Sequence, residues 1–307
     1  MPFDPATIRA SITAPTVLTL GLLWSTVIAA AIITYRRSPP GLWQHLMPRG
    51  TFRHPSARAD ILFWVLRRIT KPLYIFPTAL TAVGVGTAMH AILSYLLPAP
   101  TSTSAPSGPL TLVMFTLSML LAYDISYYFY HYLQHKVRWM WELHKVHHSA
   151  ELMIGVTQGR VHPVDDFMTH LWDGLIPGAM YGGWLFFVLN PVELTVFGIN
   201  VYILRNILMM DFVRHTHFKL SFGWLNNVIL SPHYHQLHHS TNPKHYDKNF
   251  GLMLSVWDRL FGTLMRPEPD ESFSFGLANG EHQEYHSLTG LYLLPLVKIY
   301  RLIAKPT

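Results

Sequence analysis

The sequence contains three clusters of histidine residues whose spacing suits metal binding. On a helix, side chains three or four positions apart lie on one face, so their imidazoles can point at one ion. The second and third clusters share the pattern H-x-x-H-H, a repetition that chance rarely produces. The clusters are the pair His131 and His135, the triplet His144, His147 and His148, and the triplet His235, His238 and His239.

The number of imidazoles indicates two ions rather than one. The H-x-x-H-H spacing predicts that all three imidazoles of a triplet converge, and the three clusters together supply eight. A catalytic zinc ion uses three protein ligands and a structural one uses four, so eight exceed the needs of one ion. Imidazole suits zinc, copper, iron or nickel, so the spacing leaves the metal open. The chain has 0 cysteines, which excludes iron–sulfur clusters and zinc ribbons.

Several other histidines have weaker claims to a metal. His215 and His217 lie between the second and third clusters, and His162 follows the second. A ligand role is the favoured interpretation for His215, whereas a structural or hydrogen-bonding role is favoured for His162 and His217. His233 is expected to point away from the third cluster if that stretch is helical, and the others are interpreted as structural or surface residues: His45, His54, His90, His170, His245, His282 and His286.

Two polar residues before the first cluster are candidate catalytic residues. Asp124 lies seven positions and Tyr128 three positions before His131, so on a helix both share its face. A carboxylate at this place is expected either to orient a ligand imidazole or to pair within the helical bundle. The sequence leaves both roles open for Asp124.

The elements that must position these residues are apolar helices. The chain is 50% hydrophobic and only 13% charged, whereas soluble domains carry about 25% charged residues, which indicates a membrane protein. A membrane-spanning helix needs about 20 apolar residues. The last of the four apolar stretches is expected to be a helical hairpin broken at Asn190–Pro191. The stretches are residues 16–35, 73–97, 110–130 and 175–204.

Basic residues predict the orientation of this all-α, integral-membrane helical bundle. Residues 36–71, predicted to form a loop, carry eight Arg and Lys side chains, whereas residues 98–109 carry no charge. The positive-inside rule puts the basic loop in the cytosol, and the histidine clusters then emerge on the same side. The predicted domains are residues 1–109 with the N-terminal membrane helices and basic loop, 110–265 with the catalytic histidines, and a tail, 266–307, with a candidate interfacial helix.

Other chemistries find no support in the sequence. The net charge of +6 comes from basic residues beside apolar stretches rather than on one solvated face, so we expect no nucleic-acid partner. The chain lacks an H-E-x-x-H zinc-protease motif, a phosphate-binding P-loop and a G-x-S-x-G nucleophile elbow. Gly84 and Gly86 lie in an apolar stretch and are interpreted as a helix-packing surface.

The three clusters, placed in this order among apolar helices, resemble the fatty-acid hydroxylase / sterol desaturase superfamily. The pair Asp124-x-x-x-Tyr128 before the first cluster supports the resemblance. So do the segments HPVD at 162–165, DKNFG at 247–251 and WDRLFGT at 257–263. The resemblance covers residues 110–265 and is specific for the superfamily but not for the substrate.

The resemblance implies a di-iron centre that uses O2 to hydroxylate or desaturate an unactivated C–H bond of a lipid, such as a sterol, a fatty acyl chain or an ether lipid. It implies iron-ligand roles for the eight clustered histidines and for His215. Electrons would come from a separate carrier, cytochrome b5 or a ferredoxin system. On the residues alone, a zinc-dependent membrane hydrolase or isomerase and a membrane metal transporter stay as alternatives. Clusters at helix ends count against transport.

Overall fold

The computed structural model describes residues 25, 28–35, 41–46, 48–100, 109–188, 195–196, 199–200, 210–268 and 271–304. The architecture of these residues is all-α, as the sequence predicts, apart from one short pair of strands. Residues 28–35 are helical, but most of the first predicted membrane stretch, residues 16–35, lies outside the described residues.

The helices differ greatly in length, and short 3-10 turns separate several of them. The strands β1 (Thr195–Val196) and β2 (Ile199–Asn200) pair antiparallel, with Thr195 opposite Asn200. The helices are α1 (residues 28–35), α2 (Leu42–Leu46), α3 (Pro55–Leu96), α4 (Pro109–Lys136), α5 (Arg138–His148), α6 (Pro163–Asp173), α7 (Ile176–Val188), α8 (Asp211–Arg214), α9 (Pro232–His238), α10 (Val256–Leu260), α11 (Leu288–Tyr292) and α12 (Leu294–Ala304).

The fourth apolar stretch, residues 175–204, differs from the predicted helical hairpin. Its first limb is α7, but the second limb contains β1 and β2. The prediction of helix is therefore wrong for these four residues. The physical reason is that three of the four, Thr195, Val196 and Ile199, are β-branched residues, which favour extended backbone over helix. The predicted break at Asn190–Pro191 lies outside the described residues.

Helix α3 is a single element of 42 residues, much longer than the predicted span 73–97. It begins at Pro55, whose ring suits the first helical turn, and His54 Nδ1 accepts a hydrogen bond from Ser56 N at 3.3 Å. The basic residues within 58–71 therefore lie on a helix rather than in the predicted loop. No glycine or proline interrupts that segment, so nothing in it stops the helix.

Among the described residues, one helix is long and apolar enough to cross a membrane. Its apolar part is Leu110–Lys136, with a mean hydropathy of 1.5. At 1.5 Å per residue this segment is about 40 Å long, more than a hydrocarbon core of about 30 Å. Helix α4 ends because Val137 is extended, with φ −96° and ψ 114°, and α5 starts at once. The first histidine pair therefore occupies the last two turns of α4.

Helix α7 packs against α3 with almost no side chain between the two backbones. A Cβ added to Gly182 would lie 2.2 Å from Gly86 O, and one added to Gly178 would lie 2.9 Å from Ala82 O. Only glycine permits such an approach. Gly86 therefore has the helix-packing role that the sequence predicts, whereas Gly84 faces open space.

The C-terminal segment, residues 271–304, packs onto the histidine-bearing helices. Helix α12 contacts α5 directly. Glu281 Oε1 accepts hydrogen bonds from Lys145 Nζ at 3.0 Å and from Lys298 Nζ at 2.6 Å. One carboxylate thus links the second histidine cluster's helix to the last helix of the chain.

A buried arginine joins three parts of the fold. Arg160 and Asp60 are both 0% exposed, and Arg160 Nη1 lies 2.6 Å from Asp60 Oδ1. Arg160 Nη2 also donates to Ser149 Oγ at 2.8 Å and to Tyr285 O at 2.9 Å. One guanidinium therefore connects α3, the residue after α5 and the C-terminal segment.

Replacing Arg160 with methionine would leave the Asp60 carboxylate buried without its cation. Removing one partner of a buried ion pair costs about 3–5 kcal/mol. We expect Arg160→Met to lower the Tm of the detergent-solubilised protein by roughly 10 °C. Thermal unfolding followed by circular dichroism measures this.

Two further variants separate charge from packing in that experiment. Arg138→Met removes an exposed arginine and should leave Tm unchanged. The double variant Asp60→Asn, Arg160→Met buries no unpaired charge and should regain part of the lost Tm. A double variant as unstable as Arg160→Met alone would show that the charge pair is not the cause.

Candidate metal centre

The first histidine pair faces the interior at the end of α4. His131 and His135 are four positions apart, and their ring centroids are 5.2 Å apart. His131 is buried, and the Nε2 atoms of both rings are buried without a hydrogen-bond partner. The helical spacing therefore directs two imidazole nitrogens into one enclosed space, as the sequence predicts.

Each H-x-x-H-H cluster contributes to two different imidazole groups. On α5, His144 and His148 enter one group, and His147 enters the other. In the third cluster, on and just after α9, His238 joins the group of His144 and His148, whereas His235 and His239 join the group of His147. Neighbouring helical positions point about 100° apart, so adjacent histidines do not face the same ion. The predicted convergence of each triplet is therefore wrong.

Nine histidines form the two groups, and they are the nine that the sequence nominates. Within each group the potential ligand nitrogens lie within 4.8 Å of one another. The groups are adjacent, since the stacked rings of His148 and His239 have centroids 4.4 Å apart. The five-histidine group is His131, His135, His144, His148 and His238, and the four-histidine group is His147, His215, His235 and His239.

Backbone carbonyls orient two rings of the five-histidine group. His131 Nδ1 donates to Phe250 O at 2.8 Å, and His238 Nδ1 donates to Lys248 O at 2.7 Å. A carbonyl oxygen only accepts, so the proton sits on Nδ1 and the lone pair on Nε2. These contacts therefore leave Nε2 of both rings free to bind a metal.

Asp165 orients a third ring of this group. Its Oδ2 lies 3.3 Å from His144 Nδ1, and its Oδ1 accepts from Gln134 Nε2 at 2.6 Å and from Tyr130 OH at 3.2 Å. Asp165 is in the first turn of α6, where a helix favours a carboxylate. A carboxylate behind an imidazole is the usual support of a histidine ligand.

The five-histidine group is a donor set that suits a cation. All five Nε2 atoms are buried and lack a hydrogen-bond partner. Leaving a buried acceptor unsatisfied costs about 1–3 kcal/mol. Five lone pairs directed into one space therefore fit a transition-metal ion, which accepts all of them.

The four-histidine group converges through its Nε2 atoms as well. These atoms are 3.1 Å apart in His147 and His215, 3.0 Å in His215 and His235, and 3.1 Å in His235 and His239. Two nitrogens at 2.0–2.1 Å from a tetrahedral ion are about 3.3 Å apart, so this set also fits an ion. On the other edge of the His235 ring, Nδ1 lies 2.8 Å from Arg214 Nη2.

Burial keeps four of these imidazoles neutral. It lowers the pKa of His238 to about 3, although the hydrogen bond to Lys248 O opposes the shift. Burial, reinforced by neighbouring imidazoles, also holds the pKa values of His147, His148 and His239 well below the usual range. Neutral imidazole is the metal-binding form, so at neutral pH these histidines could bind a metal without first releasing a proton.

A short segment after the third cluster provides the two carbonyls. Asp247 and Asn249 have φ values of 59° and 58°, a left-handed conformation that Asp and Asn tolerate better than most residues. Asn249 Nδ2 donates to Tyr234 O at 2.9 Å, which ties the segment to α9. The carbonyls of Lys248 and Phe250 in this segment face the rings of His238 and His131.

Asp258 and Tyr128 support the segment of residues 247–251 through hydrogen bonds. Asp258 accepts from Phe250 N at 2.7 Å, Gly251 N at 2.8 Å and Thr263 Oγ1 at 2.6 Å. The Tyr128 hydroxyl lies 2.9 Å from Thr263 Oγ1. Tyr128 therefore contacts the support of the site rather than an imidazole nitrogen, which differs from the expected catalytic role.

Asp124 also binds the segment after the third cluster. It accepts from Met253 N at 2.7 Å, Leu254 N at 3.2 Å and Trp257 Nε1 at 2.8 Å. Seven positions along a helix amount to about 10 Å, too far for a direct bond to the His131 ring. Asp124 therefore orients backbone N–H groups and an indole. It does not orient the His131 imidazole, which differs from the expected catalytic role.

Two of the ambiguous histidines lie outside both groups. His162 caps α6, with Nδ1 accepting from Val164 N at 3.2 Å and Nε2 lying 3.0 Å from Tyr292 O. His217 Nε2 donates to His45 O at 2.6 Å. The structural role favoured for both residues agrees with these contacts.

Sequence reasoning missed the contacts of Asp165 with His144 and of Arg214 with His235. The signals were local: Asp165 lies in the first turn of a helix that begins at Pro163, and Arg214 directly precedes His215. Neither signal indicates which imidazole the side chain contacts. Only the packing of α6 and α8 beside the clusters decides that.

A cavity of about 340 Å³ opens beside the five-histidine group. It reaches the candidate metal site from the side of α5 and the C-terminal segment. Three imidazoles of the five-histidine group form part of its wall, together with an indole and two carboxylates. These residues are His135, His148, His238, Trp141, Asp247 and Glu281.

Comparison with known proteins identifies the region that carries the site. Residues 116–263 match the family described as Fatty acid hydroxylase. The chain is 30% identical to alkylglycerol monooxygenase of Danio rerio over 155 residues, which are 49% of this chain and 30% of that protein. It is 28% identical to human cholesterol 25-hydroxylase over 158 residues, which are 50% of this chain and 53% of that protein.

A bacterial protein shows similar likeness. Over 161 residues the chain is 27% identical to ornithine lipid hydroxylase OlsE of Rhizobium tropici, covering 52% of this chain and 44% of that protein. The chain thus spans about a third to a half of the relatives it matches, and no solved structure matches it. The matched region contains all nine histidines of the two groups, so the part of this chain that holds the candidate site is similar to the fatty acid hydroxylase family.

Proposed function

We propose that this chain is a membrane-bound, O2-dependent hydroxylase of a lipid that holds two iron ions. The observation that carries the proposal is the pair of adjacent groups in which imidazole nitrogens converge. Relatives whose names describe hydroxylation or mono-oxygenation of alkylglycerols, ornithine lipids and cholesterol support a lipid substrate.

Iron is the metal that suits both the ligands and the reaction. Imidazole binds iron and zinc alike, but O2 chemistry needs a redox-active ion. When bound, iron would supply activation of O2 for oxidation of an unreactive C–H bond. A zinc ion in the same ligands would instead suit a hydrolase or isomerase, so dependence on O2 separates the two functions.

The chain's own residues hold and shield the ions. The carbonyls of Lys248 and Phe250 and the Asp165 carboxylate keep protons on Nδ1 of their histidines, which leaves Nε2 for the metal. Burial of the imidazoles excludes water, which protects reactive chemistry from solvent. Asp124 and Asp258 keep the carbonyl-bearing segment in place.

The site lies at the cytosolic surface of the membrane. Helix α4 crosses the bilayer, which its length and mean hydropathy of 1.5 support. The basic residues Lys136, Arg138 and Lys145 follow the first histidine pair, which the positive-inside rule associates with the cytosol. A separate carrier, such as cytochrome b5 or a ferredoxin system, delivers electrons there, while the lipid comes from the bilayer.

Isotopically labelled O2 provides the test. The purified, iron-loaded protein is incubated with a lipid extract and a chemical or protein reductant, with and without O2. We expect one labelled oxygen atom in a specific lipid, and none when zinc replaces iron. Turnover without O2, or equal turnover with zinc, would support the hydrolase or isomerase instead.

His147→Ala removes one of the four imidazoles in the four-histidine group. We expect bound iron to fall from about two ions to about one per chain, because the five-histidine group stays complete. Hydroxylation should fall by more than about 100-fold, beyond the usual effect of losing a residue behind a ligand. Metal analysis and lipid mass spectrometry measure the two quantities.

The matched control is His90→Ala, which removes a histidine on α3 outside both groups. It should retain iron and activity. Full iron loading in His147→Ala would count against the ligand assignment, whatever its activity.

Asp165→Asn tests the residue behind His144. The amide keeps the shape but weakens the acceptor, so metal affinity should fall by about 10–100-fold. Competition with a chelator measures the affinity.

The adjacent Asp166 provides the control. It binds Arg67 at 2.7 Å and Tyr74 at 2.5 Å and contacts no ligand histidine. Asp166→Asn should lower Tm while leaving metal affinity unchanged. Equal loss of affinity in both variants would mean that stability, not ring orientation, governs metal binding.

A further inference from the structure

The cavity of about 340 Å³ is an opening onto one of the two histidine groups. His135, His148 and His238 line it, whereas its described lining includes no member of the four-histidine group. The Trp141 ring covers the same wall, with its centroid 5.0 Å from that of His135 and 5.4 Å from that of His148. A molecule inside the cavity therefore touches ligand imidazoles directly.

Both carboxylates that line the cavity are already paired with lysines. Asp247 accepts a hydrogen bond from Lys136, and Glu281 accepts from Lys145 and Lys298 at 3.0 and 2.6 Å. A phosphate would meet these carboxylates, and an amine would compete with lysines already in contact. A hydroxyl avoids both conflicts, since a paired carboxylate still has lone pairs to accept its proton.

The remaining lining is suited to an amphiphile. Ser240 is 6% exposed, and its Oγ accepts from Asn242 N at 3.2 Å, which leaves its own proton to donate. Trp141 and Leu277 supply apolar surface beside it. The cavity thus offers a few hydrogen-bonding atoms among apolar walls, as small-molecule sites do.

The size of the cavity limits which part of a lipid it holds. A volume of 340 Å³ equals about eleven waters at 30 Å³ each, which accommodates on the order of ten non-hydrogen atoms. A polar head and its first few carbons fit, and a long chain must extend outside. The carbon nearest the imidazoles is then close to the head.

From these observations we propose that the cavity binds the uncharged, hydroxyl-bearing head of the lipid and that the oxidised carbon lies within a few bonds of it. The inference rests on the proposed hydroxylase function. One oxygen atom of O2 enters the C–H bond, and the other leaves as water. The external carrier supplies two electrons, and two protons come from solvent.

Photo-crosslinking with monoalkyl glycerols tests where the lipid lies. One probe carries a diazirine beside the head, and the other carries it at the end of the chain. The iron-loaded protein is irradiated without O2 or reductant, and labelled peptides are identified by mass spectrometry. We expect the head-adjacent probe to label residues 240–247 and 276–281, and the terminal probe to label other peptides. Labelling of the cavity by the terminal probe would overturn the proposal.

The variant Ala278→Trp should fill part of the cavity with an indole, because Ala278 lines the cavity and is exposed at its edge. It should reduce head-probe labelling by about tenfold or more through overpacking, with iron content unchanged. Ala304→Trp, an equal change at an exposed position of α12, should leave labelling intact. Undiminished labelling in an iron-loaded Ala278→Trp protein would contradict the assignment.

Charge discrimination completes the test. The same alkyl chain carrying a phosphate or an amine in place of the uncharged head should compete at least about tenfold less well, because a phosphate meets the carboxylates of the lining and an amine must compete with the lysines already paired with them. Equal competition would overturn the proposal. Crosslinking needs no turnover, so cavity labelling by a protein that fails to hydroxylate would refute the proposed function alone. Hydroxylation without cavity labelling would refute this inference alone.

Discussion

The burial of nine imidazoles whose Nε2 atoms face one another instead of water is the constraint on which this structure depends. In the five-histidine group each Nε2 lacks a hydrogen-bond partner, which costs about 1–3 kcal/mol per atom, so this arrangement opposes folding unless something accepts the lone pairs. A pair of metal ions would do so, and metal binding would then contribute directly to the stability of the fold. The same burial lowers the pKa values of His238 and His239, which keeps these two rings in the form that binds metal.

A single short segment couples the first and third clusters. Its carbonyls at Lys248 and Phe250 orient rings from α9 and α4, and its backbone conformation depends on two residues with positive φ. Asp258 and Asp124 hold its following residues through backbone N–H groups. Asp124 and Asp258 thus act on the backbone that carries the carbonyls, and not directly on the imidazoles.

The scaffold brings distant parts of the chain to one end of α4. Gly182 on α7 packs against Gly86 on α3, which fixes the helices that flank the site. Arg160 connects α3 with the residue after α5 and with the C-terminal segment. The cavity lies between α5 and that segment, so the packing that stabilises the fold also shapes access to the five-histidine group.

The sequence by itself determined the all-α class, the apolar helix that ends at the first cluster, and the eight clustered histidines, because residue type and helical spacing are local properties. It also favoured His215 as a ninth ligand, which the family resemblance supports. Only the tertiary structure decided how the nine divide into five and four, since that depends on the relative rotation of α4, α5 and α9. The contacts of Asp124 and Tyr128, the roles of Asp165 and Arg214, and the paired charges of the cavity likewise arise between segments far apart in sequence. Such contacts depend on packing, which spacing along one helix does not encode.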